Sequence, residues 1–136
     1  MPPRHAYLET QIATAAPQQL RLMLIEAALR LARQTADAWR EDRRDEALDT
    51  LISCRSIITE LISGIRAGSS KLADKVLGIY IFLFQELTEA QLRRDASRMD
   101  GIVRVLEEER TTWQGLCAAA SSNQLQTASE SISLEA

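Results

Sequence analysis

From Pro17 to about Ala119 the apolar residues recur at helical spacing. The stretch Ala15 to Leu31, AAPQQLRLMLIEAALRL, carries two such sets. Leu20, Leu24, Ala27, Ala28 and Leu31 share one face, while Leu22, Ile25, Leu29 and Ala36 lie nearly opposite. One stripe seats a helix in a simple bundle, so two imply that something covers both sides. Pro17 suits a first turn, where the missing N–H has no partner to lose. The pattern predicts a first helix over about Pro17–Glu41.

Three more helices follow. The second is predicted over about Arg44–Arg66, with Ala47, Leu51, Cys54, Ile58, Leu61, Ile62 and Ile65 inward and Asp42 or Asp45 as its cap. Gly68 is a natural stop, and Ser69-Ser70 offers a cap for a third helix over about Lys71–Arg94. Leu72, Val76, Ile79, Tyr80, Leu83, Leu87 and Ala90 make its main face. Leu77, Ile81 and Phe84 form a second stripe, and Phe82 points elsewhere again. Asp95 is expected to cap a fourth helix over about Ala96–Ala119. Its single stripe is Met99, Ile102, Val103, Leu106, Trp113 and Cys117, with Glu107, Glu108 and Glu109 towards solvent.

Helices of this length joined by short turns predict an all-α fold, an antiparallel up-down-up-down four-helix bundle over residues 17–119. Residues 1–16 read as a short arm or cap helix with Tyr7, Leu8 and Ile12 as its apolar edge. Alone, a helix that short is marginal in water. Residues 120–136 turn to Ser, Gln, Thr, Asn and Glu, too polar to offset ordering entropy, and are expected to be a mobile polar tail.

Composition agrees. Apolar residues are 46% of the 136 but aromatics only 4%, which suits helices better than a sheet. A net charge of −3 with interleaved signs gives no basic stripe for nucleic acid. No apolar run approaches the roughly 20 residues of a membrane span, and no signal core opens the chain. These features predict a cytoplasmic protein. Cys54 and Cys117 then read as small apolar residues in a reducing cytosol rather than a disulfide.

Chemistry-bearing patterns are scarce. His5 is the sole histidine, so helix-borne phosphotransfer and Glu-x-x-His di-iron sites are out of reach. The ligands for a zinc site are missing, as is a phosphate-binding glycine loop, and no cofactor or metal is expected. A small all-helical enzyme of the chorismate mutase type needs only cations in position. Arg21, Arg30, Arg33, Arg55 and Arg66 are the residues it would use, although they equally fit solvated helix flanks. Arg55 and Arg110 fall within apolar stripes, where a snorkelling arginine is the simpler reading. Trp39 and Trp113 sit near helix ends, and Tyr80 reads as core with its hydroxyl reaching an edge.

Three segments together resemble a known family. Thr14-Ala15-Ala16-Pro17, Gln19-Leu20 and Leu22-Met23-Leu24-Ile25-Glu26-Ala27-Ala28-Leu29 are similar to the opening T-A-S/D-P-x-K/E-L-I-x-M-L-Y-D/E-G-A-L of the flagellar secretion chaperones FliS. Tyr80–Asp95, YIFLFQELTEAQLRRD, resembles that family's third-helix pattern, and Glu109-Arg110-Thr111-Thr112-Trp113 its closing one. The order and spacing match from about Tyr7 to Leu116. The resemblance implies a non-enzymatic chaperone for the disordered C-terminal region of flagellin, held from premature polymerisation before export and possessed of contacts to the export apparatus. It also implies an N-terminal segment that caps the client surface.

On that reading the surplus stripes are the working surface: Leu22, Ile25 and Leu29 on the first helix, Leu77, Ile81 and Phe84 on the third, with Tyr7 and Ile12 from the arm. Fully burying six such side chains contributes about 1.5–3 kcal/mol each, against about 2–5 kcal/mol for ordering a disordered client. There are departures from the family pattern. Ile25 stands where an aromatic is usual, Ala27 where Gly is frequent, and Ile81, Gln85 and Glu86 replace positions often charged otherwise. A flagellar regulatory module, or one that pairs with its own second copy, is the alternative; the expected state is a monomer or weak homodimer.

Overall fold

The structure, a computed structural model, describes residues 17–135, with side chains to residue 123. It consists of four helices: α1 (Pro17–Arg40), α2 (Arg44–Ser63), α3 (Lys71–Arg93) and α4 (Ala96–Glu135). Polar links set their directions. Along α1 and α2, Arg21 donates to the carbonyl of Leu61, the Cys54 thiol to that of Ala28, and Thr35 meets Thr50, so one number falls as the other rises. The α1–α4 pairs Arg33–Glu107 and Arg40–Asp100, and the α3–α4 pairs Tyr80–Glu109 and Glu86–Arg98, run the same way. Each helix packs on its neighbours in the ring α1–α2–α3–α4. This is the expected antiparallel four-helix bundle.

Local signals account for most boundaries. Ser70 accepts from the Ala73 N–H at 3.0 Å, and Asp95 from the Arg98 N–H at 3.2 Å, so both expected caps form. At α2 the expectation fails. Its N-cap is Arg43, with no side-chain cap, because Asp42 takes a left-handed φ of 57° and its carboxylate turns to Arg44. Asp45 sits inside the first turn, where its charge faces the helix dipole instead. The helix also ends sooner, at Gly64 rather than near Gly68. Gly68 takes a φ of 77° within the connection, a conformation other residues resist, and its N–H is held by Asp74 at 2.7 Å.

The fourth helix is longer than expected. Its backbone remains helical to Glu135, so much of the expected polar tail 120–136 continues α4. Nothing after Gly115 is Gly or Pro, and a helix already nucleated gains one hydrogen bond per added residue. At 1.5 Å per residue the 24-residue α1 is about 36 Å long and the 40-residue α4 about 60 Å. No helix among the described residues is long and apolar enough to cross a membrane.

The core is built around α1, where Ile25, Ala28, Leu29, Ala32 and Ala36 all have at most 2% exposure. The backbones of α2 and α4 approach α1 more closely than they approach α3. The alanines make this possible, since a methyl side chain keeps nothing between the helices. Opposite stand Leu51, Cys54, Ile58, Tyr80, Leu83, Leu87, Met99 and Leu106. Ala32→Leu is therefore expected to overpack the α1 seam and lower stability by about 1–3 kcal/mol. Urea unfolding followed by circular dichroism reads this as a lower midpoint with an unchanged slope.

Candidate functional site

The two stripes of α1 are both spent inside the bundle. Ile25 and Leu29 are 0% and 1% exposed, and Ala36 is buried with them. They are core residues and leave the candidate client surface. The reason is position, because α1 lies between α2 and α4 and must be apolar towards each. Leu22 remains only partly exposed at the start of the helix. Tyr7 and Ile12 lie outside the described residues.

The surplus of α3 does face outward. Among the described residues the exposed large apolar side chains are Leu48 and Ile52 on α2, Leu72, Ile81, Phe82 and Leu92 on α3, and Leu116 on α4, with none on α1. Helical register divides the α3 residues into two flanks. On the α2 flank Leu77 and Phe84 are partly buried and Ile81 is 42% exposed. The Arg55 guanidinium stacks 5.1 Å from the Phe84 ring centre and donates to Gln91 at 2.7 Å, which places Arg55 on this flank. Leu48 and Ile52, seven and three residues before Arg55, extend the same face of α2.

On the α4 flank an open cleft of about 430 Å³ is lined by Lys75, Gly78, Ile79, Phe82, Val105, Glu108 and Glu109. Phe82 is 49% exposed at its edge. Positions 75, 78, 79 and 82 follow the i, i+3, i+4, i+7 spacing of one helix face. That spacing is present in the sequence, but Gly78 and Lys75 break it as an apolar stripe.

Beneath the cleft lies a polar cluster that sequence spacing assigns to solvent. Glu109 is 8% exposed. It accepts from the Tyr80 hydroxyl at 3.0 Å and from the Trp113 indole N–H at 3.3 Å. Burial first, then the adjacent Glu109 charge and hydrogen bond, push the Tyr80 hydroxyl well above its ordinary pKa. Arg21 stacks 5.6 Å from the Trp113 ring centre and donates to the Leu61 carbonyl at 3.4 Å. A methyl on Gly64 would meet that guanidinium at 2.9 Å. Glycine thus lets Arg21 lie against the end of α2, where carbonyls are short of partners. The four helices are tied together at this end, with Tyr80 in the core as expected.

The remaining groups are structural. The buried Cys54 thiol donates to the Ala28 carbonyl at 3.4 Å and is pushed up to about 12 by burial. Cys117 is partly exposed, and both cysteines are free. Arg40 hydrogen-bonds Asp100 and holds that carboxyl below its usual range. Among the described residues no three His, Cys, Asp or Glu side chains gather as metal ligands.

Comparison with known proteins adds to this geometry. A family model described as "Flagellar protein FliS" matches residues 1–120. The chain is 25% identical over 112 residues to the flagellar secretion chaperone FliS of Bacillus subtilis, covering 82% of this chain and 84% of that one. It is 23% identical over 113 residues to the flagellar secretion chaperone FliS of Vibrio cholerae serotype O1, covering 78% and 79%. A crystal structure described as a flagellar chaperone from bacteria shares the fold, with a TM-score of 0.71 at 19% identity over 87% of this chain and 99% of that one.

Two measurements test the site's interior. Glu109→Ala strands the buried Tyr80 hydroxyl and the partly buried Trp113 N–H and is expected to destabilise the protein by about 1–3 kcal/mol in urea unfolding, with Glu109→Gln less affected. In native protein at pH 8, dithiodipyridine should titrate one thiol quickly, Cys117, and the second only after unfolding. The Cys54 pKa is raised in the native state, so its contribution is intact below the ordinary thiol value of about 8.5. It is lost as pH climbs from there towards 12.

Proposed function

The chain belongs to the FliS family of flagellar proteins, and on that premise we propose that it is a cytoplasmic flagellar export chaperone for the C-terminal segment of flagellin. Held on the chaperone, that segment is kept from polymerising before export. The observation carrying this reading is the concentration of exposed apolar side chains on α3 and the adjoining face of α2, none of them on α1. Contiguous apolar surface on a soluble bundle marks an interaction site, and grooves between helices suit an amphipathic helix laid into them.

Withdrawing Ile25 and Leu29 still leaves enough surface. Leu48, Ile52, Ile81 and Phe82 are each 42–49% exposed. Each has about half of its 1.5–3 kcal/mol of burial left to gain. A client contributes a matching apolar face, against an ordering cost of about 2–5 kcal/mol or more. Micromolar binding, about 8 kcal/mol, is within this range. In this reading the Tyr7–Ile12 arm contends with the client for the same surface, and Leu22, Leu77 and Phe84 border it.

Calorimetric titration with a peptide from the cognate flagellin C-terminus is expected to give micromolar or tighter binding. Ile81→Asp and Phe82→Asp together should weaken it at least tenfold while leaving the melting curve unchanged, because both positions are half exposed. A wild-type protein that ignores the peptide would remove flagellin as the client. Equal affinity in the double variant would remove α3 as the surface. Light scattering on the free protein should report a monomer.

A further inference from the structure

The groove between α2 and α3 is bordered by Leu48, Ile52, Leu77, Ile81 and Phe84, with Arg55 and Gln91 among them. Arg33, Arg40, Arg43, Arg44, Arg93 and Arg98 are each paired with a carboxylate. Arg55, like Arg21 and Arg110, is partly buried with no carboxylate partner among the described residues; it is the one of the three that shares its helix face with the exposed Leu48 and Ile52. The contacts of its guanidinium are the Phe84 ring at 5.1 Å and the neutral Gln91 amide oxygen at 2.7 Å. One hydrogen bond to a neutral acceptor leaves four of the five guanidinium N–H donors for other partners.

We propose that Arg55 is the specificity-determining group of this groove, pairing with an Asp or Glu carried on the apolar face of the docked client segment. The inference rests on the client-binding reading above. A helix laid over Phe84 and Ile81 removes water from Arg55. A purely apolar client would then bury an uncompensated cation, which is strongly unfavourable. A client with a carboxylate at the matching position instead gains charge-assisted, bidentate hydrogen bonds in a water-poor setting. The same side chain therefore favours one class of segment and penalises the others. Because the carboxylate must meet a fixed point along the groove, Arg55 also sets the register of docking. A snorkelling arginine that only covers apolar surface would be replaced by methionine without effect on binding.

The test is a double-mutant cycle by calorimetry on the full chain, with the cognate flagellin C-terminal peptide as probe. Arg55→Met keeps the apolar stem and is expected to weaken binding roughly tenfold, the scale of one charge-assisted contact. It should also flatten the dependence of affinity on salt. Single Asp→Asn and Glu→Gln changes along the peptide leave the protein untouched. One of them should weaken binding to the wild type by the same factor and have little effect on Arg55→Met. Equal or tighter binding by Arg55→Met, or no peptide position coupled to it, overturns the proposal while flagellin stays the client. No binding by the wild type overturns both readings. A concentration-dependent dimer that Arg55→Glu abolishes, with peptide affinity unchanged, assigns the groove to a second copy and also overturns it.

Discussion

Five alanines on α1, at positions 27, 28, 32, 36 and 38, govern how near the neighbouring helices come. With only methyl groups in the way, α2 and α4 settle against α1 at short range. Larger side chains, Ile25 and Leu29, fill the interior beside them. Interiors are close-packed, so this seam tolerates neither added nor missing volume. Helix α1, apolar on two faces, therefore has no exposed large apolar side chain among the described residues. The bundle buries Ile25 and Leu29 of α1 and, among the described residues, leaves the outward stripes of α3 without a cover.

The polar links follow from the same packing. Thr35 and Thr50, both hydroxyls, meet at 2.7 Å across the α1–α2 seam, where no space remains for water between them. At the opposite end of α1, Arg21 lies flat on Gly64 and Trp113, and Glu109 gathers Tyr80 and Trp113. A buried carboxylate with two donors is expensive to rearrange. The cluster therefore fixes the floor of the α3–α4 cleft, and the apolar rim above it sits on a rigid base.

The bundle was legible in the sequence because its signals are local: helical spacing, serine and aspartate caps at 70 and 95, and sparse glycine. What failed was relational. The periodicity of α1 correctly shows two apolar faces, but only the ring order of helices says that both are covered by the chain itself. Ile25 and Leu29 therefore read as surface and prove to be core. Glu109 fails the opposite way. It sits in a run of three glutamates that looks solvated, and only the arrival of Tyr80 from another helix supplies the donors that let it be buried. Ile81 is 42% exposed, since among the described residues no helix lies on the outer side of α3. Ile52 and Leu48 join it only once Arg55 shows which face of α2 adjoins α3.

The looser seating of α3 has a further consequence. Its inward residues, Tyr80, Leu83, Leu87 and Ala90, anchor it, while Ile81, Phe82 and Leu92 take no part in that anchoring. Exchanges at these outer positions alter what the molecule presents without disturbing what holds it together. Exposure and anchorage are thus written on separate sides of one helix, and a lineage can revise the first while inheriting the second intact.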